Sequence, residues 1–206
     1  MAITVLVTGF GPFPGAPVNP TVMLVKRLSR LRRPVLADVM IVPHIFQTSY
    51  RAVDEDLPRL LARQQPEALL MFGLATRAKT MRVELRARNS LLLIADASGS
   101  VPPRRAIASN AAPTMKIRAP AQRLLAAIHA AGVRGVLSRD AGRYLCNYLC
   151  WRGVEVTKQT DGPRLAAFIH VPRIRGGNSH AKRLTINDLT RAGSGALAAL
   201  AAAARR

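Results

Sequence analysis

Two cysteines are the side chains of this sequence best suited to covalent chemistry. Cys146 and Cys150 stand four residues apart, so they share one face of the helix predicted for residues 144–151. Cys146 follows a predicted strand-to-helix turn, where free amides and the helix dipole favour a thiolate and can hold an oxyanion. The alternative is that both are small buried hydrophobic residues. Core packing suits Cys150 better, because it lies one turn further into the helix.

A histidine and a glutamate are the candidates for proton transfer. His170 lies near the end of an apolar predicted strand, where active sites of open α/β sheets are found, although a histidine satisfied within the core would give the same pattern. Glu84 shares one face of the alternating segment Met81–Arg88 with Arg82 and Arg86. Such a row is either an exposed charge ladder or the site of a buried carboxylate that orients a histidine. The pattern alone leaves both interpretations open.

A glycine-rich loop, residues 9–15, follows the first predicted strand. A dinucleotide-binding loop needs glycine at its first, third and sixth places, and the sixth place here is Pro14. Pro12 and Pro14 also lack the amide donors of a phosphate-binding loop. The loop is therefore either a structural turn or a pocket wall formed by Phe10 and Phe13.

Strand-like and helix-like segments alternate, which predicts an α/β fold that spans residues 1–206 as one domain. The predicted strands are Ile3–Val7, Val35–Val42, Ala68–Leu74, Gly135–Ser138 and Arg164–Val171. The first predicted helix begins at Asn19-Pro20, and the next three cover Ser49–Arg63, Ala121–Ala131 and Tyr144–Trp151. Thr185 is the predicted cap of a last helix, whose middle Gly193 and Gly195 weaken.

Two segments are harder to place. The alternation of Met81–Arg88 predicts a half-exposed strand at a sheet edge or in a hairpin. Residues 95–119 are rich in Pro, Ser, Ala and Gly and lack periodicity, so we expect a long loop that is poorly ordered or folds against a neighbouring subunit.

Composition excludes several classes of protein. No apolar run approaches the roughly 20 residues of a membrane span, and the first residues do not resemble a signal peptide. Two cysteines make neither a disulfide framework nor a zinc site, so no metal is expected and the setting is expected to be reducing and cytoplasmic. The net charge of +20 invites a nucleic-acid interpretation. However, the basic residues are scattered, without the aromatic residues of a base-stacking surface, so no specific nucleic acid is expected.

Taken together, the motifs resemble the pyroglutamyl peptidase I family of cysteine peptidases. The matching segments occur in family order and are Val5–Phe13, Asn19-Pro20, Gly73–Thr76, Val83-Glu84 with Asn89, Asp140–Asn147 and Phe168–Pro172. The resemblance implies a three-layer α/β/α domain with a mixed, twisted central sheet. It also implies removal of an N-terminal pyroglutamyl residue from small peptides without a cofactor, and a cytoplasmic homo-oligomer, dimer or tetramer.

The resemblance also implies roles for particular residues. Cys146 matches the family nucleophile, His170 the general base and Glu84 the third member of the triad. Phe10 and Phe13 match the aromatic clamp on the pyrrolidone ring, and Tyr144 and Leu145 complete the expected substrate-binding set.

The sequence departs from the family at two places. The family commonly has an arginine about ten residues after the glutamate, whereas residues 91–94 here read Leu-Leu-Leu-Ile. The stretch after Gly73-Leu-Ala is also altered, at residues 76–79. Two alternatives therefore stay open: a divergent cysteine amidase of the same fold, or a non-catalytic basic binding protein on this scaffold.

Overall fold

The computed structural model describes residues 2–174 and 184–206. The strands are β1 (Ile3–Phe10), β2 (Val39–Phe46), β3 (Ala68–Leu74), β4 (Met81–Glu84), β5 (Arg86–Arg88), β6 (Thr114–Lys116), β7 (Gly135–Ser138) and β8 (Leu165–Val171). The helices are α1 (Pro20–Ser29), α2 (Tyr50–Gln64), α3 (Ala121–Ala130), α4 (Leu145–Val156) and α5 (Ile186–Ala204), with a short 3-10 turn at Pro34–Leu36. No helix in the described ranges is both long and apolar enough to cross a membrane.

A six-stranded sheet, in the order β2-β1-β3-β8-β4-β7, forms the central layer. The first four strands in this order are parallel, β4 runs antiparallel to β8, and β7 runs parallel to β4. A mixed sheet was predicted and is confirmed. The antiparallel step at β4 matters for function because it places residues of β4 directly opposite the end of β8.

Two hydrophobic cores cover the two faces of the sheet, because side chains alternate between the faces along each strand. One core packs α1, α3 and α5 on the sheet and includes Leu24, Leu124 and Leu197. The other packs α2 and α4 on the opposite face and includes Val53 and Trp151. This is the three-layer α/β/α arrangement expected from the resemblance.

The second predicted strand, Val35–Val42, is wrong in its placement. Pro34 begins the 3-10 turn, and β2 starts only at Val39, where pairing with Ile3 of β1 begins. Pro43 lies inside β2, which it can do because β2 is the edge strand of the sheet and one side of its backbone needs no partner.

The Met81–Arg88 strand was also predicted in the wrong environment. It divides at Leu85 into β4, which lies inside the sheet between β8 and β7, and β5, which pairs with β6. The alternation is real, but α4 covers the face that carries Glu84, so this carboxylate is buried with 1% of its surface exposed. The prediction of a half-exposed strand failed, and the burial of Glu84 stayed open, because no local pattern shows which helix will pack on the charged face.

The 95–119 segment, expected to be a poorly ordered loop or to fold against a neighbouring subunit, packs on its own chain. Ile107, Met115 and Ile117 are buried in the α2/α4 core. Asn89 fixes the path of the segment, because its side-chain oxygen accepts hydrogen bonds from the amides of Ile107 and Ala108. Short polar anchors therefore order a segment whose composition indicated a flexible loop.

The last helix, α5, is continuous through Gly193. Thr185 caps it as predicted, in a capping box with Asp188. A Cβ atom on Gly193 would come within 3.2 Å of Leu24 Cδ1, so this glycine allows α5 to approach α1 closely. The expected weakening of the helix is offset by packing.

We expect Asp96→Ala to destabilise the fold by about 1–3 kcal/mol, because it leaves buried donors without an acceptor. The carboxylate, 5% exposed, accepts hydrogen bonds from the amides of Tyr50, at the start of α2, and of Ser98 and Ser100. Urea denaturation measures the change. Asp161→Ala, at an exposed position, is the control, and equal unfolding midpoints for the two variants would contradict this account.

Candidate active site

The antiparallel pairing of β4 with β8 brings Glu84 and His170 together. Arg82 stands directly opposite His170 in the ladder, and Glu84, two residues further along β4, faces the same side of the sheet. The His170 Nδ1–H donates to Glu84 Oε1 over 2.8 Å. Both side chains are buried, with 6% of His170 and 1% of Glu84 exposed. The other carboxylate oxygen, Oε2, is buried without a hydrogen-bond partner among the described residues.

Cys146 reaches this pair from the neighbouring helix. It is the second residue of α4, which begins at Leu145. Gly73 of β3 pairs with His170 of β8, and a Cβ atom added to Gly73 would lie 2.7 Å from Cys146 Sγ. The thiol therefore rests over Gly73, beside the histidine. A larger residue at position 73 would displace the sulfur.

The His170 ring is held in its protonated form. Burial alone would lower its pKa, but hydrogen-bonding and charge interactions with Cys146 and Glu84 outweigh burial and raise the pKa to about 9. Because Nδ1 donates to Glu84, the other ring nitrogen, Nε2, is left for Cys146. His170 therefore lies between a carboxylate and a thiol, the arrangement of residue types found in cysteine–histidine–carboxylate triads.

The start of α4 is fixed by Asn147. Its side-chain oxygen accepts a hydrogen bond from the Arg88 amide, and its Nδ2 donates to the carbonyls of Arg88 and Ser90. The amides of Leu145 and Cys146 lie in the first turn, where a helix offers no carbonyl acceptor. They are therefore available to hold a negative oxygen next to the thiol.

Cys150 has a different environment from Cys146. It is fully buried one turn further along α4, and burial raises the pKa of its thiol well above the usual value. A thiol that stays protonated in an apolar core is a poor nucleophile. The structure therefore gives Cys150 a packing role, as the sequence favoured.

A cavity of about 540 Å³ opens in front of Cys146 and His170. All four residues predicted to bind substrate line it, namely Phe10, Phe13, Tyr144 and Leu145. Glu84 is the one predicted site residue that does not line the cavity, because it lies behind the His170 ring. All seven predicted site residues thus belong to one site.

The glycine-rich loop is both a tight turn and a wall of this cavity. Phe13 and Ala16 exchange two backbone hydrogen bonds, of 3.2 and 2.9 Å, which close the turn. The side chains of Asn19 and Thr48 both donate to the carbonyl of Gly11. These bonds hold the Phe13 side chain at the cavity, and neither of the two interpretations of the loop excludes the other.

Sequence reasoning did not find three arginines in the cavity wall, namely Arg77, Arg82 and Arg143. Asp140 also lines the cavity, and an ion pair of 3.2 Å joins it to Arg88. The signal for Arg82 was present, because its strand periodicity places it on the same face as Glu84. The other two lie in loops, where periodicity carries no information.

Neither Arg86 nor Arg88 takes the place of the arginine that the family commonly has near residue 94. Leu92, Leu93 and Ile94 are exposed, with 40–47% of their surface accessible. Arg86 donates to the carbonyl of Arg139, and Arg88 pairs with Asp140, so neither side chain lines the cavity.

Comparison with known proteins gives a consistent result. A model of the family described as pyroglutamyl peptidase matches residues 3–193. The pyrrolidone-carboxylate peptidase of Pyrococcus furiosus is 28% identical over 171 residues, which cover 82% of this chain and 81% of the relative. The enzyme of that name from Thermococcus litoralis is 30% identical over 169 residues, covering 82% and 76%. The crystal structure of Bacillus amyloliquefaciens pyroglutamyl peptidase I superposes with a TM-score of 0.85, at 27% identity and 97% coverage of each chain.

We expect Glu84→Gln to lower the pKa of His170, because it removes one of the two groups that raise it. The histidine signals in an NMR titration measure the change. Glu55→Gln, at an exposed carboxylate on α2, removes the same charge far from the ring and should leave the pKa of His170 near 9. An unchanged titration of His170 in the Glu84 variant would contradict the assigned role of the carboxylate.

The same pair makes the stability of the fold depend on pH. Because the pKa of His170 in the folded state lies above the ordinary 6.5, protonation stabilises the fold fully below pH 6.5, and this contribution is lost as the pH rises through about 9. The difference in free energy of unfolding between wild type and Glu84→Gln should therefore be larger near pH 6 than near pH 10, as urea denaturation can determine.

Proposed function

We propose that this chain, which belongs to the pyroglutamyl peptidase family, is a cysteine peptidase that removes an N-terminal pyroglutamyl residue from peptides. In this proposal Cys146 is the nucleophile, His170 is the general base and acid, and Glu84 orients the histidine. The observation that carries the proposal is the buried hydrogen bond of His170 to Glu84, with Cys146 beside the histidine over Gly73, at the wall of a cavity large enough for a small peptide.

The first half of the reaction forms a thioester. The Cys146 thiolate, whose proton resides on His170, attacks the carbonyl carbon of the pyroglutamyl residue and forms a carbon–sulfur bond. The amides of Leu145 and Cys146 stabilise the negative oxygen that develops. His170 then donates its proton to the nitrogen of the following residue as the carbon–nitrogen bond breaks, and the shortened peptide leaves.

The second half restores the enzyme. His170, now neutral, takes a proton from water, and the resulting hydroxide attacks the thioester carbon. The carbon–sulfur bond breaks, free pyroglutamate leaves, and the thiolate–imidazolium pair is formed again. Glu84 keeps Nδ1 protonated throughout, so Nε2 is the nitrogen that exchanges the proton.

The cavity wall suits the pyrrolidone ring because the ring is small and uncharged. Phe10, Phe13, Tyr144 and Leu145 supply aromatic and aliphatic surface, against which a neutral lactam can pack without a counter-ion. The Tyr144 hydroxyl donates to the Ala95 carbonyl over 3.1 Å, so this ring is fixed before substrate arrives.

One observation favours a second candidate, a divergent amidase that acts on a different acyl group. Ile94 stands where the family commonly has an arginine, and arginines line the cavity next to the altered segment 76–79. Comparison of pyroglutamyl amides with proline, acetyl and glutaminyl amides distinguishes the two candidates, because the divergent enzyme would prefer one of the latter. The buried triad disfavours the third alternative, a purely non-catalytic binding protein, since a buried Glu84–His170 pair costs desolvation that a scaffold does not require.

Assembly and location complete the proposal. We infer a homo-oligomer, dimer or tetramer, from the family resemblance and from the consecutive exposed apolar side chains of Leu92, Leu93 and Ile94. Sedimentation of the purified protein as a monomer would contradict this inference.

A reducing, cytoplasmic setting suits an enzyme whose two cysteines are both free and whose nucleophile is a thiol.

We expect Cys146→Ser to lower kcat/KM for a pyroglutamyl amide at least about a thousandfold, since a hydroxyl beside this base is a far weaker nucleophile than a thiolate. Cys150→Ser is the matched control, because it makes the same chemical change one helical turn away. It should lower the unfolding temperature but keep most of the activity. An active Cys146 variant would exclude the covalent mechanism.

We expect Phe13→Ala to raise KM for a pyroglutamyl amide about tenfold with a smaller effect on kcat, since the ring contributes binding in the ground state as well as the transition state. Val136→Ala, which shortens an exposed apolar side chain on β7, is the control for a general loss of stability. A variant with unchanged KM would show that Phe13 does not contact the substrate.

A further inference from the structure

The cavity wall carries more positive charge than a neutral pyrrolidone ring requires. Within the described ranges, the side chains of Arg77, Arg82 and Arg143 make neither an ion pair nor a hydrogen bond. By contrast, Arg51, Arg59 and Arg191 form ion pairs with carboxylates on exposed helix faces. The three cavity arginines are therefore available to a ligand.

No acidic residue in the described part of the chain forms an ion pair with these three arginines. Among the residues that line the cavity, Asp140 is the acidic one, and it is paired with Arg88. Glu84 is committed to His170 behind the cavity. Residues 175–183 contain no Asp or Glu, so their sequence cannot supply a counter-charge either.

The position of Arg82 shows which part of the substrate it meets. The group that protonates the departing amine must stand on the leaving-group side of the scissile bond, and that group is His170. Arg82 is the direct cross-strand neighbour of His170, and directly opposite side chains in an antiparallel pair lie about 5 Å apart at Cβ. On the proposed mechanism, this position puts Arg82 on the side of the residue that follows pyroglutamate, and Phe10 and Phe13 on the side of the ring.

We propose that Arg82, assisted by Arg77 and Arg143 at the cavity wall, makes this enzyme selective for substrates in which the residue after pyroglutamate carries a carboxylate. The carboxylate can be the side chain of Asp or Glu or the free C-terminus of a pyroglutamyl dipeptide, because either places a negative charge one residue beyond the scissile bond. This inference rests on the proposed function and adds the substrate class.

The test compares kcat/KM for pairs of substrates that differ in a single charge. Pyroglutamyl-glutamate amide against pyroglutamyl-glutamine amide isolates the side-chain carboxylate. Pyroglutamyl-glutamine with a free C-terminus against the same glutamine amide isolates the terminal one. We expect kcat/KM to be about five- to tenfold higher for the charged member of at least one pair, the size of effect that a partly exposed ion pair produces. This preference should be smaller at about 0.5 M salt, because salt screens such ion pairs.

Variants separate a local contact from the general positive charge of the chain. Arg82→Gln should lower the ratio of kcat/KM between charged and neutral substrates at least about threefold, and Arg77→Gln should lower it less. Arg123→Gln, at an exposed position on α3 that does not line the cavity, removes the same unit of charge and should leave the ratio unchanged. The ratio is an internal standard, so a general loss of activity in a variant does not affect the comparison.

The outcomes are distinct. Equal kcat/KM values for charged and neutral members of both pairs, with cleavage of all of them, would overturn the inference and leave the proposed function intact. A preference that Arg123→Gln lowers as much as Arg82→Gln would also overturn it, because net charge alone would then be the cause. Failure to cleave any pyroglutamyl substrate would overturn the proposed function, and this inference with it.

Discussion

The burial of the Glu84 carboxylate is the constraint on which the rest of the site depends. An ionised carboxylate with 1% of its surface exposed is unfavourable unless a positive partner meets it. One of its oxygens, Oε2, has no hydrogen-bond partner in the described part of the chain, so the interaction through Oε1 carries the compensation. His170 provides that partner across 2.8 Å. Burial lowers the pKa of the His170 ring, but its interactions with Cys146 and Glu84 together raise it to about 9.

This constraint explains why the sheet is mixed. In a fully parallel sheet, the carboxyl end of β4 would meet the carboxyl end of β8, and Glu84 would lie at the sheet edge near solvent. The antiparallel insertion of β4 instead turns Glu84 inward past His170, under α4, where the carboxylate is dry. Gly73 on the adjacent strand then leaves just enough room for the sulfur of Cys146 above the sheet. Strand direction, one glycine and one helix start together produce the triad.

Much of this could be predicted from the sequence, and the failures have a physical pattern. Buried strands such as Ala68–Leu74 and the caps at Asn19 and Thr185 were found because their signals are local: a continuous apolar run, or a side chain that accepts from an amide two or three residues on. The start of β2 was misplaced because it is set by register against β1, a non-local pairing. The motifs named Cys146, His170 and Glu84, which the structure brings together, but periodicity alone could not show that Glu84 is buried, since that depends on how α4 packs.

The order of residues 95–119 was missed for a related reason. Its anchors are single polar side chains, Asn89 and Asp96, that satisfy backbone groups far away in the sequence. Such long-range hydrogen bonds leave no trace in composition, so a segment rich in Pro and Ser looks unstructured although it closes one side of the α2/α4 core. Arg77 and Arg143, the cavity arginines in loops, were not predicted for a similar reason, because only the folded structure shows that they line a cavity.

The most direct test of the central claim is the site of attack by a pyroglutamyl chloromethyl ketone, an electrophile that carries the substrate ring. The account predicts complete inactivation with one adduct per chain, located by peptide mass mapping on Cys146 and absent from Cys150, and slowed by a pyroglutamyl peptide. Inactivation with Cys146 unmodified, or full activity with Cys146 modified, would contradict the assignment of this thiol, beside His170 and Glu84, as the nucleophile.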